Sequence, residues 1–219
     1  MKPNPPRIYP RIKHVSFLDT VQGGNREAQT PVAHPLAGDA GLLVTYAIDE
    51  PAQPVPLTQE HMDELGLNAQ KLHELAMENL IRKTGPKLGA QDLVMYQALV
   101  AGDGFEASTL LLPGLWETLA EGFEGELLAV VPSRNTVYFM DGGAKRQLAG
   151  QQLTARTMLD LMCATAADIK VQAREHGLSD KVMAFTPDGW QIRGSFEDHA
   201  SALGGSSPHA ITHGQNLSK

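Results

Sequence analysis

Five polar residues stand inside or beside apolar stretches of this 219-residue sequence, and chemistry is to be sought among them. They are Asn79 in AMENL, Glu106 and Ser108 in DGFEASTLLL, and Arg134 and Asn135, which with Ser133 interrupt LLAVVPSRNTVYF. Arg134 carries the strongest signal. Its guanidinium presents five N–H donors in a planar fork that meets a carboxylate or another anion two bonds at a time. Two roles fit it: a structural clamp on a buried carboxylate such as Glu106, or a grip on an anionic ligand. The residues alone do not separate these two. Glu106 is the acid of the group and so its candidate proton donor or acceptor, and Asn79 can satisfy loop backbone.

Other chemistries lack their residues. Of eight histidines, only His209 and His213 stand four apart, in a Gly/Ser-rich stretch with no helix to hold them. His73-Glu74-Leu75 does not begin a zinc-protease motif, because Met77 stands where the second histidine belongs. Neither a metal site nor a cofactor is expected. Cys163 lies among Leu159, Met162 and Ala166 on the apolar side of a helical pattern and reads as a buried, inert thiol. No G-x-S-x-G elbow occurs, GPKLG lacks phosphate-loop spacing, and GDG at Gly102 reads as a hairpin turn.

Composition narrows the partners. The formal charge is −7 and the pI near 5.6, which counts against a nucleic-acid binder and suits another protein, a basic one on charge grounds. The single cysteine forms no internal disulfide. No apolar run approaches the roughly 20 residues that span a bilayer. The opening MKPNPPRIYPRIKH has no apolar stretch of signal-peptide length, so a cytoplasmic protein without a membrane segment is expected. Nothing in the sequence sets an oligomeric state.

The elements that must position these residues alternate between strand and helix. RIYPRIKHVSF reads as an edge strand alternating apolar with basic residues, and GLLVTYAID as a strong strand stopped by the Pro51, Pro54 and Pro56 cluster. Thr58 caps a short helix with Leu57 and Met62 at staple spacing, Gly66 breaks it, and Asn68 caps a second. That second helix carries Leu72, Leu75, Ala76, Asn79 and Leu80 on one face and stops at Gly85-Pro86. DLVMYQALV reads as one strand turned by AGDG into FEASTLLL, and Pro113 begins a further helix. PSRN joins two strands, Thr154 to His176 forms a long helix, and KVMAFTPDGWQIR a hairpin turning at Pro187-Asp188-Gly189. Several strand pairs are joined by turns too short for a helical crossover, which requires antiparallel neighbours. The expected fold is α+β, a mixed, mostly antiparallel sheet packed against two or three helices. Residues 1–40 form a partly irregular segment with an edge strand, 41–198 a single domain, and 199–219 a disordered tail.

The same residues carry a family likeness. RIYPRIKHVSF, LLVTYAID, LGLNAQKLHELAMENL, DGFEASTLLL and GELLAVVPSRNTVYF occur in the order of the YtpQ-like family of uncharacterised bacterial proteins, and the chain resembles that family over residues 7–145. The resemblance implies an α+β cytosolic domain and groups Asn79, Glu106, Ser108 and Arg134 together, without a role for any of them. Many members have Asp where this chain has Asn135, and members usually carry a further N-terminal segment.

Two functions are open at this stage. One is a non-enzymatic binding protein of unknown partner, an inhibitor or immunity-type protein being one form of it. The other is an enzyme of unfamiliar type acting on a small anionic substrate with Glu106 and Arg134. Geometry discriminates them: an enzyme needs Glu106, Ser108 and Arg134 converging in a pocket.

Overall fold

The computed structural model describes residues 7–22, 30–36, 40–50 and 53–200. In chain order the elements are β1 (Ile8–His14), α1 (Ser16–Gln22), β2 (Ala33–Pro35), β3 (Leu42–Asp49), β4 (Pro54–Pro56), α2 (Gln59–Leu65) and α3 (Ala69–Thr84). Then follow β5 (Gly89–Asp92), β6 (Gln97–Val100), α4 (Pro113–Ala120), β7 (Leu127–Ser133), β8 (Thr136–Asp141), β9 (Arg146–Leu148) and β10 (Gln151–Leu153). The C-terminal part is α5 (Ala155–Ala173), β11 (Lys181–Thr186), β12 (Gly189–Ser195) and α6 (Glu197–Ala200).

Every strand pair among the described residues is antiparallel. A six-stranded sheet runs β12-β11-β7-β8-β6-β5, and a second sheet runs β1-β3-β2 with β4 on β3. The fold is α+β. β7 shows why the large sheet is covered on both faces: all seven of its residues are buried. Leu127, Ala129 and Val131 point into one core, Leu128 and Val130 into the other, as the two-residue period of a strand requires. The first core joins this sheet to Ile8, Ile12 and Val44 of the smaller sheet and to Leu72 and Ala76 of α3. Trp116 and Trp190 meet edge to face there, ring centroids 5.0 Å apart, and their indole N–H groups donate to the Thr109 and Leu110 carbonyls. The second core is covered by α5 through Met158, Met162, Cys163 and Ala166, all fully buried.

The helix ends follow the expected side chains. Thr58, Asn68 and Thr154 each cap by accepting from a backbone N–H, and Gly66 ends α2 with φ 64. Both expected hairpins form, β7 on β8 and β11 on β12.

Four readings change. The first strand stops at His14, and Ser16 begins α1. DLVMYQALV is a turn and a strand, not one strand: Asp92 accepts from the Val94 N–H, Val94 turns with φ 74, and β6 starts only at Gln97. FEASTLLL contains a 3₁₀ helix, Ala107–Leu111, rather than a strand, held by the Thr109 hydroxyl donating to the Glu106 carbonyl. α6 runs past the expected boundary at 198: His199 is buried and its Nδ1 lies 2.8 Å from Asp160 Oδ1. Residues 201–219, the rest of the expected tail with His209 and His213, lie outside the described residues.

Candidate functional site

Among the described residues, β1 lies at the margin of its sheet, hydrogen-bonded to β3 on one side only. The Arg7 carbonyl accepts from Asp49, and the Val15 N–H donates to Gly41, so the odd-numbered residues turn their backbone groups toward β3. The even-numbered residues turn theirs outward, as antiparallel alternation requires. Two of the sequence candidates serve that outward edge. Asn79 Nδ2 donates to the Ile8 carbonyl at 2.9 Å, and Ser108 Oγ donates to the Pro10 carbonyl at 3.0 Å. Pro10 itself has no N–H to satisfy, which is why a margin strand tolerates it.

Side chains of β1 alternate in the same way. Ile8 and Ile12 enter the core, whereas Arg11 and Lys13, two residues apart, share the other face. That face is the floor of a cleft of about 430 Å³. Thr45 and Ala47 of β3, with Pro54 and Pro56 of β4, continue the floor as mostly apolar surface. Phe17 and residues of the turns at 103–108 and 134–135 complete its lining.

Arg11 is set in place. Its Nη1 donates to the Gly104 carbonyl at 3.0 Å, and its guanidinium carbon lies 3.8 Å from the Phe105 ring centroid. The turn that receives it is tightly wound: Gly102, Asp103 and Gly104 have φ of 73, 59 and 72. Glycine is favoured at position 104. Besides its left-handed φ, a Cβ would stand 2.9 Å from Asn135 Oδ1. Asp103 tolerates the left-handed region as acidic turn residues do, and its carboxylate is held by Lys87 at 2.8 Å and Lys83 at 3.5 Å.

Arg134 stands at the tip of the β7–β8 hairpin, exposed, between the paired Ser133 and Thr136. Its carbonyl accepts from Ala107, which ties the two cleft-wall turns together. Its side chain makes no hydrogen bond or ion pair among the described residues. Lys13 lies 5.0 Å from the Phe17 ring centroid and likewise has no ion pair among them. Burial pulls Arg11 below its ordinary range, Asp49 offsets part of this, and Arg134 adds to it. Lys13 is lowered by burial first, then by Arg134 and Arg11, against Glu175. Three cations therefore share one cleft, and Arg134 disfavours the charge of Arg11 and Lys13.

The Arg134–Glu106 clamp does not form. Glu106 Oε1 accepts instead from the Gly102 N–H at 2.9 Å and the Ala101 N–H at 3.4 Å, closing the 101–106 turn. Its Oε2 is buried without a hydrogen-bond partner among the described residues. Of the five sequence candidates, Ser108, Arg134 and Asn135 line the cleft, whereas Asn79 and Glu106 do not. The residues missed are Arg11 and Lys13. The basic alternation along RIYPRIKH was their signal, since two residues on a strand is one face.

A second hollow of about 360 Å³ adjoins the first and shares Ile12, Lys13, Phe17 and Arg134 with it. Glu175 and His176 line its far side. Among the described residues, no cluster of three or more histidine, cysteine or acidic side chains could hold a metal ion. No helix among them is long and apolar enough to cross a membrane.

No family profile matches the chain, and no solved structure does. It is 26% identical over 146 residues to a UPF0354 protein of Halalkalibacterium halodurans, across 64% of this chain and 51% of the relative. A UPF0354 protein of Shouchella clausii is 27% identical over 141 residues, 63% and 50% of the two chains. One of Bacillus cytotoxicus is 25% identical over 138 residues, 62% and 48%. The chain spans about half the length of the curated relatives it matches. These likenesses support kinship with an uncharacterised bacterial family, whose name carries no activity.

Proposed function

We propose that this chain acts by binding rather than by catalysis, and that it binds an anionic group of its partner molecule in the cleft of Arg11, Lys13 and Arg134. One observation carries the reading: Arg134 and Lys13 face a concave site with no carboxylate in ion-pair reach among the described residues. Gathering like charges costs stability unless something neutralises them, and a ligand anion supplies what the fold does not. The enzyme reading loses support because Glu106, its acid/base, closes a turn away from the cleft. Asp103 does line the cleft, but two lysines hold its carboxylate. The cleft's positive charge runs against the overall −7, so at this site a basic partner is disfavoured. The order of its sequence blocks supports placing the chain with the YtpQ-like proteins, and an inhibitor or immunity-type role would be one use of such a grip.

A thermal-shift comparison of anionic, neutral and cationic small molecules tests this. Stabilising compounds should be anionic, should lose their effect on Arg134→Ala, and should be recovered unchanged. Neutral or cationic stabilisers, or equal stabilisation of the variant, would contradict it.

A further inference from the structure

Resting on that reading, the cleft also points to the chemical class of its ligand. We propose that it takes a phosphomonoester of small-molecule size, its dianionic phosphoryl group held by Arg11, Lys13 and Arg134 and its apolar body lying against Ala47, Pro54 and Pro56.

Charge count comes first. A monocarboxylate neutralises one of three gathered cations, whereas a phosphomonoester brings close to two negative charges at neutral pH and three acceptor oxygens on one centre. The donors match that centre. Arg11 uses one of its five N–H groups on Gly104 and is held against Phe105, so its guanidinium is oriented before any ligand arrives. Arg134 offers an uncommitted fork and Lys13 a point charge, the two donor types that serve phosphate.

Shape and polarity fix the rest. A volume of about 430 Å³ lies in the range of small-ligand pockets. The floor beyond the cations, Thr45, Ala47, Pro54 and Pro56, is mostly apolar, which suits an apolar body and offers no cation to a second anionic end. The adjoining hollow adds no lysine or arginine of its own: Lys13 and Arg134 are shared with the cleft, and Glu175 is the charged side chain it contributes. The ligand is therefore anionic at one end.

Calorimetric titration with phenyl phosphate, benzoate and inorganic phosphate separates the parts. Phenyl phosphate should bind about tenfold or more tightly than benzoate, since one charge-assisted bond is worth that factor, and more tightly than inorganic phosphate through burial of its ring. Its affinity should rise between pH 5 and 7 as the second phosphate proton, of pKa about 6, is lost, while that of benzoate stays flat. Arg134→Ala, checked as folded by its melt, should lose about tenfold or more. Benzoate binding as tightly as phenyl phosphate, with loss in Arg134→Ala, would overturn the phosphoryl assignment and leave the anion-binding reading standing. Inorganic phosphate binding as tightly as phenyl phosphate would overturn the apolar body. Absence of binding by all three would overturn both the assignment and the reading beneath it. A phosphotyrosine peptide binding far more tightly than phenyl phosphate would overturn the small-molecule form in favour of a phosphorylated protein.

Discussion

Replacing Arg134 by alanine separates a structural arginine from a ligand-binding one. A clamp on a buried carboxylate, once broken, costs about 3–5 kcal/mol because the partner charge is stranded. For a chain of this size each kilocalorie moves the melting temperature by about 2–4 °C, so a lost clamp would appear as a drop of roughly 6–20 °C. In the structure Arg134 is exposed, its side chain pairs with nothing among the described residues, and Glu106 is bound to the Gly102 and Ala101 N–H groups instead. Loss of an exposed, unpaired side chain changes stability by no more than about 0.5 kcal/mol. Removing the charge also relieves repulsion on Arg11 and Lys13, so the small change should be neutral or stabilising. The expected outcome is a melting temperature within about 2 °C of wild type by circular dichroism, with an unchanged urea m-value. A fall of more than about 6 °C would refute the reasoning, because it would mean that Arg134 holds a partner in the folded protein.

The same assay should give the opposite answer at Asn79. Asn79→Ala leaves the buried Ile8 carbonyl without its donor and should cost about 1–3 kcal/mol; a neutral melt would show that the β1 edge needs no capping. Asp160 is buried against His199 and also meets the exposed Arg156 at 2.9 Å, so Asp160→Ala, which leaves the buried His199 Nδ1 without its partner, should cost about 1–3 kcal/mol and loosen α6, read as faster amide exchange at 197–200. Burial pushes the Cys163 thiol up to about 12, so it should remain a thiol at pH 8 and resist thiol reagents until denaturant is added. Rapid stoichiometric labelling would contradict the packing of α5. Asp141 accepts from the Glu124, Gly125 and Gly143 N–H groups, which together outweigh its burial and hold its carboxyl below the ordinary range. Its stabilising effect is complete above the unfolded value of about 3.9 and is lost as pH falls through the lower folded value. Asp141→Asn should therefore flatten the acid limb of the pH–stability curve, and an unchanged limb would count against that role.

Much of the fold was legible because its signals are local. Caps at Thr58, Asn68 and Thr154 and the breaks at Gly66 and Gly189 depend on a few neighbouring residues, and the structure places each of them. The stretch from Asp92 to Leu112 was misread because its decisive contacts are side chain to backbone. An Asp92 oxygen on the Val94 N–H and a Glu106 oxygen on the Gly102 N–H override residues that read as strand. At the site, Arg134 was visible as a charge between two apolar runs. Its clamp partner was misassigned because sequence does not show that Glu106 spends its carboxylate four residues away. Arg11 and Lys13 were overlooked although their alternation was visible, because only the fold brings β1 beside a turn more than ninety residues later. Asn79 and Ser108 belong with Arg134 for a different reason than shared chemistry: both cap the strand that carries the other two cations.

Amide chemical-shift mapping with phenyl phosphate tests the central claim most directly, since it locates the ligand as well as detecting it. Binding in the cleft predicts saturable shifts concentrated at residues 11–13, 45–47, 103–108 and 134–135, lost in Arg134→Ala. Shifts centred elsewhere, or none at millimolar ligand, would contradict the assignment of this cleft as an anion-binding site.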